Sequence, residues 1–402
     1  MARFNGIMQK RLVDRTGPIM EERKRRRREA HIKKQRGLSP ETKHRLTVFG
    51  GAALGVVMIV LLFVFFSNAF GGKEIMTKTE LAFDGEIFAT ASSIYYMKGT
   101  TLYCTDLEGE ELWSSKNNAE YMNIAGSDTF ICVYNERMAI VTGPNQEARF
   151  TITPSDYNIK EVVCGNDVVV LLTETKEDKP VQYLRAFDIN GNDLQRTEIV
   201  GSELLQFGLN GEMDNLWTLM LDSSGIEPVS RITISNPAQN KMTGIIEVSD
   251  QLIYEVFFGE KNMYLMGTNN MMQYNSFNEK TSETLIYGLR CIDSVETATD
   301  NIFAFIQEEI ESGENIYNIH LVSGKDGKTP SDTLIQMPKG VKHAVLSDDR
   351  LICFSEDTLY HYKFTGEFEK ETKLDMKITD VRKLTENMLL ISCDDGVYFY
   401  HI

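Results

Sequence analysis

Chemistry in this chain would have to come from six cysteines, six histidines and a few acidic loops, and their spacing limits what they could do. Cys104, Cys132, Cys164, Cys291, Cys353 and Cys393 each sit inside an apolar run and none is in a CxxC pair. A zinc site needs clustered ligands, and scattered thiols read instead as small buried hydrophobes. Free thiols in an external domain would point to a reducing or anaerobic habitat. His31 and His44 lie in a basic N-terminal segment, while His320, His343, His361 and His401 lie on or beside strand-like runs. None has a nucleophile or carboxylate at telling spacing, although a Ser-His-Asp set assembled from distant strands would leave no local trace. The run DINGND, Asp188 to Asp193, superficially fits a calcium loop. The glycine that loop requires is Asp193 here and its closing glutamate is Ile199, so the motif fails. A hairpin turn with Asn190-Gly191 supplying positive φ accounts for it, and DDG at 394–396 is the same case. No catalytic, cofactor-binding or metal-ligating residue is therefore assigned, and the expectation is a non-enzymatic protein without a cofactor.

The elements that would position any site begin with a charge asymmetry. Residues 1–45 carry 15 Lys or Arg against 5 Asp or Glu, whereas the remainder carries 27 against 53. The two parts therefore bear about +10 and −26. Between them residues 46–70, LTVFGGAALGVVMIVLLFVFFSNAF, contain no charged residue and at about 1.5 Å per residue can cross a hydrocarbon core of about 30 Å. The run Arg23, Lys24, Arg25, Arg26, Arg27 and Arg28, with Lys33, Lys34, Arg36, Lys43 and Arg45, immediately precedes the span. By the positive-inside rule these residues place the N-terminus in the cytoplasm and the acidic part outside a cell membrane crossed once. They also form a surface for anionic lipid headgroups. A cleaved signal peptide is the alternative, because Ser67 and Ala69 mimic a cleavage site, but the basic region and the apolar run are both long for one. Gly50, Gly51 and Gly55 offer a close-packing face, which makes a homodimer through the span a further expectation. No aromatic residue interleaves with the arginines, which argues against nucleic acid as a partner.

From residue 74 to 402 the sequence changes to short alternating runs of Val, Ile, Tyr, Phe, Leu and Thr broken by Gly, Asn and Asp, the pattern of an all-β domain. Turn-like strings recur at 106–110, 143–147, 188–192, 236–240, 276–280, 323–328 and 364–368. Their period of about 43 residues has room for four short strands, as a propeller blade requires. The first unit parses as EIFATA, SIYYMK, TLYCTD and ELWSS, and the third as IKEVVC, DVVVLLT, VQYLRAFD and DLQRTEIV. The last unit, ITDVRKL, NMLLISC and GVYFYHI, has only three strands. The missing strand is available in EIMTKTELAF, residues 74–83, which would close the ring and remove its seam. That count predicts eight blades, with seven as the alternative because the fourth unit is the least regular.

The string IYYMKGTTLYCTDLEGEELW, in which Gly99, Leu102, Tyr103, Asp106, Gly109 and Trp113 hold the marked places, resembles the repeat of quinoprotein-type (PQQ-like) propellers. Cys104 stands where that family has alanine, and the other units lack the closing tryptophan. The layout of basic tail, single span and propeller is similar to membrane-anchored propeller proteins of Gram-positive bacteria. The resemblance implies a propeller, not an enzyme: the family's dehydrogenases use a vicinal cysteine pair, and no two cysteines adjoin here. Its non-enzymatic members, such as the propeller lipoprotein of outer-membrane protein assembly, bind other proteins. The absence of any Asn-x-Ser/Thr sequon favours a bacterial envelope. The expected function is an extracytoplasmic interaction scaffold with envelope or membrane proteins as partners, and the alternative is a small-ligand sensor or enzyme using the central channel. Clustered acids at one mouth would favour that alternative.

Overall fold

The computed structural model describes residue 26 and residues 76–79, 86–117, 122–211, 214–324 and 331–402. The span at 46–70 lies outside these residues, as do all the topology-setting basic residues except Arg26, which is helical and exposed. Among the described residues no helix is long and apolar enough to cross a membrane.

Residues 74–402 form one unit, whose strands make eight four-stranded antiparallel sheets. Seven sheets are consecutive meanders. The eighth joins Met76–Thr79 to Gly396–His401, Met388–Cys393 and Ile378–Thr385. The ring therefore closes through the N-terminal strand, in register Met76↔Tyr400 to Thr79↔Val397, and the blade count is eight. Pairing the first strand of this unit with its last leaves no open seam in the ring. At that closure Lys78 donates to the Asp395 carbonyl at 2.6 Å and pairs with its carboxylate at 3.2 Å.

Within each blade, burial follows strand order. Second strands pack both faces against neighbouring blades, so Ile94–Lys98 and Asn301–Gln307 are buried almost throughout. Fourth strands alternate, as in Glu111–Lys116, because one face meets solvent. The seven turn strings all connect third to fourth strands. Asp106 and Asp188 set the pattern: each side-chain oxygen accepts two N–H groups of its own turn. Gly191 takes φ +79° as expected. Asn190 does not take positive φ, since its role is to donate its N–H to Asp188. Trp113 donates through Nε1 to the Pro144 carbonyl of the next blade at 3.0 Å. Trp217 packs on Phe258 of the next blade with ring centroids 5.5 Å apart.

Candidate functional site

First strands of successive blades touch one another around the ring and are therefore innermost. A hydrogen-bonded turn follows most of them, from the N–H of Thr90, Ser127, Gly165, Gly259, Thr297 or Ser347 to the carbonyl three residues on. Four residues before each of these turn residues stand Glu86, Asn123, Glu161, Glu255, Asp293 and His343. In five first strands a register shift immediately precedes the matching position, at Glu161, Gln206, Glu255, Asp293 and Asp380. One extra residue there bends the strand and re-aims the next side chain. The eight blades thus present five carboxylates, a glutamine, an asparagine and a histidine at one level. Two interactions that skip a blade accord with convergence of this level on the axis. Glu86 of blade one helps hold the Glu161 carboxyl of blade three above its usual range, after the larger effect of burial. Lys383 of blade eight reaches Asp293 of blade six at 3.5 Å.

Among the ion pairs of the described residues the last pair is the most enclosed. Asp293 and Lys383 side chains are 16% and 18% exposed. The Asp293 carboxylate accepts the N–H of Leu346 in blade seven at 2.7 Å and of Ser294 at 2.8 Å, so it ties together three blades. Burial nevertheless pushes its carboxyl above the ordinary range, against the pull of Lys383 and the two N–H donors. Lys383 is shared, bonding Glu386 at 2.8 Å and the Ser294 carbonyl at 3.3 Å. Beside them His343 is held below its usual range, mainly by burial, with Asp380 opposing. Glu255 is raised by burial alone.

Over this pair opens a cleft of about 300 Å³ between blades six, seven and eight. One wall is the connection from Gln307 to Asn318, the longest between second and third strands. Ile310 and Ile316 of that loop are buried. Three hydrogen bonds pin it: Arg290 Nη2 to the Ile310 carbonyl at 3.0 Å, Ile316 N–H to Val341 at 2.7 Å, and Met337 N–H to Tyr317 at 2.8 Å. Tyr317, which follows the lining residue Ile316 in that loop, and Tyr287, three residues before the lining residue Arg290, are 60% and 75% exposed.

All six thiols are free; five are buried and Cys393 half-buried, in line with the hydrophobe reading. Among the described residues no group of three or more His, Cys, Asp or Glu is placed to hold a metal. The structure brings none of the cysteines into the cleft, and of the histidines only His343 lines it. Asp293, Lys383, Arg290 and Lys342 were not picked out from sequence. The position four residues before the first-strand turn marks Asp293; Lys383, Arg290 and Lys342 fall outside it and carry no such signal.

The model of a family of unknown function, DUF5711, matches residues 74–397. No curated protein matches the sequence. Solved structures share the fold at low identity. BamB from Moraxella catarrhalis aligns at a TM-score of 0.52 and 10% identity over 82% of this chain and 100% of that one. The WD40 domain of SCAP from fission yeast gives 0.55 at 7% identity over 81% and 97%. The dihydro-heme d1 dehydrogenase NirN gives 0.50 at 9% identity over 79% and 71%. These likenesses carry the propeller fold.

Proposed function

The chain belongs to the DUF5711 family, and we propose that it is a single-pass protein of the bacterial cell envelope whose extracytoplasmic propeller is a non-enzymatic interaction scaffold. The carrying observation is the cleft at blades six to eight, whose loop wall is pinned by hydrogen bonds and whose sequence neighbours Tyr317 and Tyr287 are exposed. Tyrosine and arginine are the side chains on which interface energy concentrates, because they bury large rigid surfaces with little ordering cost. In this reading residues 46–70 cross the membrane and residues 1–45 lie in the cytoplasm against anionic headgroups. The glycines at 50, 51 and 55 make the face for a homodimer. Partners are other envelope or membrane proteins. Crosslinking of the full chain in native membranes, read by mass spectrometry, tests this: a partner crosslinked reproducibly near Tyr287 or Tyr317 supports it. Recovery of no reproducible partner, with a small molecule retained by the purified protein, overturns it in favour of a ligand sensor or enzyme in the channel. That second reading draws its support from the acidic level of the inner strands, where burial, with Glu86 adding to it, raises Glu161.

A further inference from the structure

The cleft has a chemistry that the scaffold reading leaves unassigned. At about 300 Å³ it lies at the small end of ligand pockets, about 300–1,000 Å³, and suits a group the size of one residue. Ile292, Ile310, Ile316 and Val381 give its lining an apolar part. The same lining holds Arg290 and Lys342, two cations in a part of the chain whose charge sums to −26, alongside Asp293, Glu311 and Lys383. Arg290 spends one N–H on the Ile310 carbonyl, leaving most of its five donors for an incoming group. Neither cation forms an ion pair with a described carboxylate, whereas the deeper Lys383 is already paired with Asp293 and Glu386. Because the loop wall is pinned by three hydrogen bonds, little ordering cost falls on binding.

A ligand matching these walls carries a carboxylate and an apolar chain on the same small unit. We infer that the cleft takes the C-terminal residue of a partner polypeptide, its carboxylate on Arg290 and Lys342 and its apolar side chain against Ile292, Ile310, Ile316 and Val381. Exposed aromatic surface next to the lining decides between a polypeptide and a free small acid. Tyr317 adjoins the lining residue Ile316 in the chain and Tyr287 precedes Arg290 by three residues, so the residues before a terminus have aromatic surface to meet that a single small acid would leave unused. Glu311 at the lip sets a preference against acidic side chains next to the terminus. This inference rests on the scaffold reading and names the chemistry of its partner.

The test uses full-length protein in nanodiscs and fluorescein-labelled hexapeptides ending in Ile, Leu or Lys, each as the free acid and the amide, read by fluorescence anisotropy. The acids ending in Ile and Leu bind, and amidation or a Lys end weakens binding at least tenfold. Lys342→Glu, on an exposed side chain, weakens it at least tenfold with an unchanged melting temperature. Arg290→Gln weakens it further, with the melting temperature separating lost recognition from a loosened loop. Equal binding of acid and amide, or no binding of any acid, overturns the inference. N-acetyl-isoleucine competing as well as the hexapeptide acid overturns the polypeptide source. A crosslinked partner that survives Lys342→Glu, with no hexapeptide bound, overturns the cleft and leaves the scaffold standing. Hexapeptide acids that bind while no partner is recovered uphold the cleft and overturn the scaffold.

Discussion

Asp214 offers a direct measure of how blades are held together. It sits in the turn between the first and second strands of blade four, 2% exposed, at φ +47°, a left-handed conformation that aspartate tolerates better than most residues. Its carboxylate crosses to blade three and accepts the N–H groups of Asn166 at 2.8 Å, Asp167 at 2.5 Å and Val168 at 2.9 Å. Gly165 leaves room for it, since a Cβ there would fall 2.4 Å from Asp214 Oδ1. A hydrogen bond to a charged group contributes about 1.5–3 kcal/mol. In Asp214→Ala, water can reach the exposed Asn166 and Asp167 amides, but Val168 is 3% exposed and its N–H loses its partner. One full charged bond and two partly replaced ones make the expected loss about 3–4 kcal/mol. For a unit of about 330 residues the unfolding entropy is about 0.7 kcal/mol/K, so the melting temperature should fall by about 4–6 °C. Asp214→Asn keeps one acceptor oxygen and should lose roughly half as much. Calorimetry of the full chain in detergent, with hydrogen exchange at Asn166 to Val168, provides the readout. A melting temperature within about 1 °C of the parent, or equal losses for Ala and Asn, would refute the latch.

Two further outcomes follow from the inner level and the core. Glu255, Glu161 and Asp293 all have folded-state pKa values raised chiefly by burial. Between the ordinary carboxylate range and those raised values the folded state binds more protons than the unfolded one, so stability declines as pH rises through that window. Glu255→Gln should therefore raise the melting temperature at pH 7 and lose that advantage well below the ordinary carboxylate pKa. An unchanged melting temperature at pH 7, or an equal gain in acid, would contradict the burial argument. Burial likewise pushes the Cys104, Cys291 and Cys353 thiols up, and Cys393 to about 11. At pH 8 the native protein should resist iodoacetamide, and denaturation should expose all six thiols. Rapid alkylation of any of the buried five in the native state would show that the core opens locally.

The blade period, the third-to-fourth hairpins and the closing N-terminal strand could be read directly from the chain. Each is a local pattern: Asp106 and Asp188 cap turns within their own hairpins, and strand alternation needs only nearest neighbours. The choice of eight blades over seven turned on the irregular fourth unit, and it is settled by Glu203–Asn210, Asn215–Asp222, Val229–Asn236 and Lys241–Val248 pairing as a complete four-stranded sheet. The candidate site is a different kind of property. Asp293, His343 and Lys383 lie in three separate repeats and share no motif. A histidine beside a strand and a lysine in another carry no mark of their meeting. Their proximity exists because a closed ring brings equivalent positions of its innermost strands toward one axis, and the register shift before Asp293 and Asp380 re-aims those side chains. The sequence by itself therefore determined the repeating hydrogen-bond and burial pattern of a propeller. Tertiary structure alone decided which charges meet, since only ring closure sets the through-space distance between blades.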